Sequence, residues 1–211
     1  MTREPRLTRP VEEARLRPLV FTWPLGIVYW IACAWSLRAE LQLDYRTTGA
    51  TQRDPQDEGS RFVVVGVVLT LAALAVAASL AVPRLAIADL RLGVFWAGTA
   101  LTIAGGLLRR HCMRMLGPLF TPRIQVTPGQ PIVQRGAYRW VRHPSYTAGF
   151  LTYTGLGLAL GNWASLILLA GGTALIYVYR AAVEERALLG ALGREYAEYR
   201  ARTRRFVPFL F

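Results

Sequence analysis

The chain has 211 residues, of which 53% are hydrophobic, and its mean hydropathy is +0.29. This composition indicates a membrane protein and argues against a water-soluble domain. The formal net charge is +12 and all 25 basic residues are arginine; because these arginines flank apolar segments, they favour lipid headgroups over nucleic acid as partners. Two cysteines and two histidines predict neither a disulfide framework nor a metal site.

Five apolar segments predict an all-α integral membrane protein, since about twenty apolar residues cross a hydrocarbon core of roughly 30 Å. The predicted spans are Pro18–Leu37, Phe62–Val82, Leu92–Leu108, Tyr146–Leu160 and Trp163–Val183. The last two form a hairpin because Gly161-Asn162 is a turn dipeptide. Glycines in the third and fourth spans predict close helix packing. Residues 1–17 are predicted to be a surface arm that precedes a retained first span, and residues 38–61 a loop.

This pattern divides the chain into an N-terminal part, residues 1–90, and a C-terminal core, residues 91–211. Residues 109–142 contain seven arginines and no acidic residue, which predicts that they face the cytoplasm. We expect a bacterial inner-membrane protein with its active site on that side. Five spans then place the arginine-containing N-terminal arm outside, against the positive-inside tendency. Residues 186–205 are predicted to form an amphipathic helix, in the interface or over the cytoplasmic mouth of the bundle.

The most unusual stretch, Arg135–Tyr146, has the sequence R-G-A-Y-R-W-V-R-H-P-S-Y. Proline disfavours helical geometry in the residue before it, and it suits the first turn of a helix. The stretch therefore predicts a basic, aromatic loop that turns at His143 and starts a membrane helix at Pro144. A positively charged loop that only sets topology would have the same composition.

Ionisable residues near membrane depth are functional candidates, and four are present: Arg109, His143, Arg180 and Glu184. Tyr177, Arg180 and Glu184 share one helix face by their spacing. Each residue also has a structural explanation, such as an arginine extending to the interface from a helix end or an ion pair within one helix. Their joint spacing favours a single site.

Gly136–Arg139 and Arg142–Tyr146 resemble the signature of the isoprenylcysteine carboxyl methyltransferase family. The second half of that signature is similar to Arg180-x-x-x-Glu184-Glu185 and the closing Arg205–Pro208. The resemblance covers roughly residues 105–208. It implies a membrane-embedded enzyme that takes its methyl group from S-adenosylmethionine. The family is similar in turn to the phospholipid N-methyltransferases.

The resemblance also implies a set of cofactor-binding residues: Gln125, Gln130, Ile132, Val133, Tyr138, His143, Pro144, Ser145, Tyr146 and Glu184. Among them, Glu184 can accept hydrogen bonds from the donor's hydroxyls or ammonium, and Tyr138 offers an aromatic face. Two positions depart from the family pattern, with Gln130 in place of a histidine and Ala137 in place of a proline.

For catalysis, the family implies Arg180 as the residue that holds the acceptor, and Arg109 is our second candidate. A carboxylate acceptor is already ionised at neutral pH, so it needs a cation more than a base, and arginine grips it with two hydrogen bonds. An amine acceptor would need deprotonation. We therefore expect O-methylation of an isoprenylcysteine-like carboxylate on a lipidic or prenylated small molecule or peptide, within membrane lipids.

Three alternatives remain open. One is phospholipid amine methylation by the same kind of site. Another is a sterol-type membrane reductase with a nicotinamide cofactor, whose motif resembles His-Arg-x-x-Arg-Asp where this chain has Arg180-x-x-x-Glu184-Glu185. The third is a non-catalytic membrane scaffold that these residues only brace.

Overall fold

A computed structural model describes residues 17–47, 60–121, 126 and 129–207. Within them the chain forms five α-helices: α1 (Leu25–Thr47), α2 (Ser60–Ala81), α3 (Arg91–Leu116), α4 (Pro144–Ala159) and α5 (Trp163–Arg202). α5 is kinked at Gly193, whose φ is +51°. Short 3-10 turns lie between these helices or before them, at Leu19–Phe21, Pro83–Leu85, Gly117–Leu119 and Gly136–Arg139. The described residues contain isolated β-bridges but no strand, so the fold is all-α as predicted.

By length and composition, three helical segments of the described chain can cross a membrane: Phe62–Ala81, Arg91–Leu119 and Trp163–Arg202. They correspond to the second, third and fifth predicted spans. The apolar part of α1, Leu25–Arg38, is shorter, and α4 has only 16 residues. The number of membrane crossings therefore stays a prediction.

Several helix boundaries differ from those predicted. α1 begins at Leu25, directly after Pro24, and not at Pro18. The loop predicted over residues 38–61 is wrong at both ends, because α1 continues to Thr47 and α2 begins at Ser60. Polar residues do not end a helix when they are good helix formers such as arginine, glutamate and glutamine. Residues 48–59, like most of the predicted arm, lie outside the described residues.

α3 and α4 approach each other most closely, at positions where glycine leaves the backbone bare. A Cβ on Gly98 would lie 2.5 Å from the Gly155 carbonyl oxygen, and a Cβ on Gly105 would lie 2.3 Å from Thr152 Oγ1. Small residues let helices approach closely where lipid offers no hydrophobic driving force. The predicted close packing is thus present in these two helices. Gly161 instead occupies the turn, with φ of +63°.

The contacts between helices define how they are arranged. α4 packs between α3 and α5, while α1 packs on α3 and α2 packs on α5. The predicted turn at Gly161-Asn162 is confirmed: Asn162 Oδ1 accepts from the Ala164 amide at 2.9 Å, which caps α5, and Asn162 Nδ2 donates to the Val82 carbonyl oxygen at 3.0 Å. This turn closes one end of the bundle. At the other end, residues 129–142 meet the tail after α5, residues 203–207.

Replacing Gly98 with alanine tests the α3–α4 contact. The new methyl group would collide with α4 backbone, so we expect a loss of about 1–3 kcal/mol in stability, although alanine normally favours a helix. The measurement is the melting temperature of the purified protein in detergent. Gly93→Ala is the matched control in the same helix, because its Cβ would meet nothing within 4 Å. Equal melting temperatures for the two variants would contradict the packing described.

Candidate functional site

A cavity of about 500 Å³ opens at the end of the bundle where residues 129–142 and the tail after α5, residues 203–207, meet. Its walls come from all five helices and from the segment before α4. This volume is within the usual range for small-molecule sites. The cavity is the natural candidate for a ligand site in the described part of the chain.

The lining residues fall into a polar set and an apolar set. The polar set includes Arg109, Gln130, Tyr138, Tyr146, Arg180, Glu184, Tyr196 and Tyr199. The apolar set includes residues from the middle of α1 and the first turns of α2, which are Leu37, Val64, Val65, Val68 and Leu69. It also includes residues from the other segments, such as Phe120, Leu188 and Leu192. One continuous space therefore borders both ionisable groups and lipid-like side chains.

The loop that leads into α4 is held by the tail of the chain. Pro144 is the first residue of α4, as predicted, with His143 just before the helix. The Arg142 and His143 amides donate to the carbonyl oxygens of Arg204 (2.9 Å) and Arg205 (3.0 Å), and the Arg204 amide donates to the Trp140 carbonyl oxygen at 3.0 Å. The tail thus runs beside the motif and fixes its backbone.

Glu185 joins these two segments to α5. Its carboxylate accepts from Arg142 Nε at 2.6 Å, His143 Nε2 at 3.1 Å and Arg205 Nη2 at 2.8 Å. The Glu185 side chain is only 4% exposed. A buried carboxylate needs such partners, because isolated burial of a charge is very unfavourable.

His143 lies between two carboxylates. Its Nε2 faces Glu185, and its Nδ1 is 3.5 Å from Glu184 Oε2. Burial alone lowers the pKa of the imidazole, but the hydrogen bonds to Glu184 and Glu185 outweigh it, so the His143 pKa is raised above its usual value. The protonated ring can donate from both nitrogens, which links the two adjacent glutamates of α5.

Glu184, in contrast to Glu185, faces the cavity. Its side chain is 33% exposed and accepts from the Tyr146 hydroxyl at 2.6 Å. The Tyr146 ring is stacked between His143 and Tyr177, with centroid distances of 5.4 and 5.5 Å. Gly149 makes room for this stack, because a Cβ there would lie 2.3 Å from Tyr177 Oη. The stack fixes the hydroxyl that holds the Glu184 carboxylate.

The two candidate catalytic arginines both line the cavity. Arg180 is 6% exposed, so its charge lies in a poorly solvated environment. Arg109 donates to the Ser145 carbonyl oxygen at 3.1 Å and stacks over the Phe120 ring at 4.9 Å. Arg109 is thus tied to the first turn of α4, whereas Arg180 is on the same face of α5 as Glu184 and Tyr177.

Two aromatic hydroxyls add polar groups to the wall. Burial raises the pKa of the Tyr138 hydroxyl, so this group remains neutral and able to donate a hydrogen bond. The Tyr196 hydroxyl is buried and has no hydrogen-bond partner among the described residues. Buried polar groups are nearly always satisfied, so this hydroxyl indicates that a polar ligand or water completes the site. The described residues contain no cluster of histidine, cysteine or acidic side chains suited to a metal ion.

The structure brings most of the predicted site residues together. Those that line the cavity are Arg109, Gln130, Ile132, Val133, Tyr138, Ser145, Tyr146, Arg180 and Glu184. His143 and Pro144 do not line it. His143 contacts Tyr146 and Glu184 and so supports the wall. Gln125 lies outside the described residues.

Sequence reasoning did not identify all of the site. Glu185, Arg142 and Arg205 were noted only as parts of a motif, although they form the buried ion cluster. Tyr177 was placed on the correct helix face, but its stacking on Tyr146 depends on Gly149, which lies in another helix. The apolar wall from α1 and α2 was not anticipated, because no motif marks it.

Comparison with known proteins supports the predicted relationship. Residues 98–190 match the sequence model of the isoprenylcysteine carboxyl methyltransferase family. Protein-S-isoprenylcysteine O-methyltransferase B of Arabidopsis thaliana is 31% identical over 115 residues, which are 54% of this chain and 58% of that protein. The Rattus norvegicus protein-S-isoprenylcysteine O-methyltransferase is 30% identical over 116 residues, 54% of this chain and 41% of that protein. This chain therefore matches about half the length of these relatives.

The fold is similar to that of a solved structure. The structure of the eukaryotic intramembrane Ras methyltransferase ICMT (isoprenylcysteine carboxyl methyltransferase) aligns with 93% of this chain and 73% of its own chain, with a TM-score of 0.58 and 19% identity. The similarity establishes the fold: the chain is an all-α integral membrane protein, as its composition predicted.

Removing the Glu185 carboxylate tests the ion cluster. Glu185→Ala would leave Arg142, His143 and Arg205 without their shared acceptor, and loss of one partner from a buried ion pair costs about 3–5 kcal/mol. Glu198→Ala is the control on the same helix. Its partner Arg194 is 92% exposed, so we expect a loss of at most about 1 kcal/mol. Melting temperatures in detergent measure the loss of stability in each variant. A Glu185→Ala variant as stable as the control would refute the cluster's structural role.

Proposed function

We propose that the protein is an integral membrane methyltransferase that uses S-adenosylmethionine, because residues 98–190 match the sequence model of the isoprenylcysteine carboxyl methyltransferase family. Its acceptor is lipidic, and the reaction we favour is O-methylation of the carboxylate of an isoprenylcysteine-like small molecule or peptide. The observation that carries the proposal is the single cavity that borders both a polar and an apolar set of side chains. A soluble donor and a lipidic acceptor need such a space in order to meet.

The polar part of the cavity fits the donor's chemistry. Glu184 offers a partly exposed carboxylate for the donor's ammonium or hydroxyl groups. Tyr138 offers a neutral hydroxyl and a ring, and Tyr196 has a buried hydroxyl that needs a partner. Gln130 and the backbone at Ile132 and Val133 line the same wall. We assign the donor to this part of the site.

Arg180 is the residue we assign to the acceptor carboxylate. When bound, the donor supplies a methyl group on a sulfonium, a displacement that depends mainly on alignment and exclusion of water. The buried guanidinium can hold a carboxylate with two hydrogen bonds in a poorly solvated environment. Tyr146 and Tyr177 hold Glu184 in place beside it through the hydrogen bond and stacking described above. Arg109 also lines the cavity and donates to the Ser145 carbonyl oxygen at the start of α4.

The apolar part of the cavity gives the acceptor a route from the bilayer. α1 and α2 pack on different neighbours, α3 and α5, and both contribute apolar side chains to the cavity. A lipid chain can therefore lie between them while its carboxylate reaches Arg180. In this proposal residues 91–211 carry the donor site and the N-terminal part, residues 1–90, supplies the lipid-facing wall. The arginine-rich end of the bundle faces the cytoplasm of a bacterial inner membrane.

Donor binding depends on Glu184 in this proposal. Glu184→Ala removes the cavity-facing carboxylate, so we expect the affinity for S-adenosylmethionine, measured by calorimetry in detergent, to fall by at least about tenfold, as for a hydrogen bond to a charged group. Glu195→Ala, an exposed acidic residue on the same helix, is the control and should bind as the wild type does. Undiminished affinity in Glu184→Ala would refute the assignment.

The acceptor class is tested with radiolabelled donor and membranes or a synthetic prenylcysteine. A methyl ester releases its label as methanol in base, whereas a methylated amine keeps it. We expect base-labile label, with a rate that falls by roughly 10²-fold in Arg180→Gln, because the acceptor carboxylate loses the cation that positions it. Arg194→Gln, on the exposed face of α5, should keep the wild-type rate. Base-stable label would favour the alternative of phospholipid amine methylation.

A further inference from the structure

A second concavity, of about 420 Å³, lies beside the tail of the chain. Its lining consists of four arginines and a few small or apolar residues: Arg142, Arg200, Arg204 and Arg205, with Leu189, Ala197, Ala201 and Thr203. Arg142 is the one lining residue that it shares with the main cavity. We call this concavity the arginine groove.

The arginine groove has an excess of positive charge. Arg142 and Arg205 both contact Glu185, whose carboxylate also faces His143. Arg200 and Arg204 are exposed, and among the described side chains of residues 17–38, 62–121 and 129–207 no carboxylate lies within ion-pairing distance of either. Among the described residues, one carboxylate, that of Glu185, therefore contacts the guanidinium groups of the groove, and it contacts two of the four. Such a concentration of arginine attracts an anion with several oxygen acceptors.

Part of the groove is held rigid before any ligand binds. Glu185 fixes the guanidinium groups of Arg142 and Arg205, and Arg142 Nη1 also donates to the Thr203 carbonyl oxygen at 2.6 Å. The backbone beneath is fixed by the pairing of Arg204 with Trp140. Donors that are already ordered lose less entropy when they bind a ligand.

The groove lies beyond the apolar part of α5. That apolar part leads into Leu189, and the helix then kinks at Gly193 before Ala197 and Ala201. These three residues give it an apolar side next to the arginines. Arginines next to a membrane surface attract anionic lipids.

We propose that the arginine groove binds the phosphate of an anionic phospholipid, with Arg200 and Arg204 reaching the headgroup from either side of the preordered Arg142 and Arg205. The chemistry recognised is a phosphate. The apolar residues beside it and the position at the end of the apolar helix favour a phosphate attached to a lipid over free phosphate. This site is separate from the donor site and does not depend on the proposed reaction.

The test uses the full chain in detergent, with bound lipid counted by native mass spectrometry during titration with phosphatidylglycerol or phosphatidylcholine. We expect tighter binding of phosphatidylglycerol. The double variant R200Q/R204Q should lower the affinity for phosphatidylglycerol by about tenfold or more, as expected for two arginines at a membrane surface. The control R194Q/R202Q removes the same charge from two exposed positions of the same segment that do not line the groove. This control should change the affinity for phosphatidylglycerol less than twofold.

Each other outcome overturns the proposal. Equal binding of the two lipids would show that the groove does not select an anionic headgroup. Equal losses in the two double variants would show a general effect of net charge. If inorganic phosphate, added alone at millimolar concentration, binds and displaces phosphatidylglycerol completely, the site takes a free anion and not a lipid. Because no methyl donor is present, none of these results depends on the proposed reaction.

Discussion

The Glu185 carboxylate connects three stretches of the chain that are far apart in sequence. It holds Arg142 and His143 of the loop before α4, and Arg205 of the tail, against α5. This buried cluster is the constraint on which the cavity wall depends, because the same loop carries Tyr138 and leads into Tyr146. An apolar replacement of the whole cluster could be as stable, but it would not orient His143 toward Glu184. The main role of the cluster is to fix the position of the loop and the orientation of His143.

The two adjacent glutamates of α5 lie in two different environments, although they share one helix turn. Neighbouring residues on a helix point about 100° apart, so Glu185 faces the tail while Glu184 faces the cavity. His143 lies between them and contacts both. A continuous chain of contacts, through the His143 imidazole and the Tyr146 ring, thereby connects the tail with the cavity. This link also places the arginine groove close to the proposed donor site without making it part of that site.

The sequence predicted the features that depend on local patterns. Apolar segments identified the helices, Pro144 marked the start of α4, and Gly161-Asn162 marked the turn before α5. The motif residues converge because helix spacing places Tyr177, Arg180 and Glu184 on one face. The sequence could not predict contacts between distant segments, such as the pairing of Trp140 with Arg204 or the space that Gly149 leaves for Tyr177. It also missed the apolar wall, since any membrane helix could supply valines and leucines like those of α2.

The central claim is that the donor lies in the polar part of the cavity with its methyl group directed toward Arg180 and the apolar wall. An experimental structure with S-adenosylhomocysteine, the demethylated product, tests it directly. The account predicts ligand density bordered by Glu184, Tyr138 and the backbone at Ile132 and Val133, with the sulfur on the side of Arg180. Density for the ligand at any other place on the protein, or a sulfur directed away from Arg180, would contradict it.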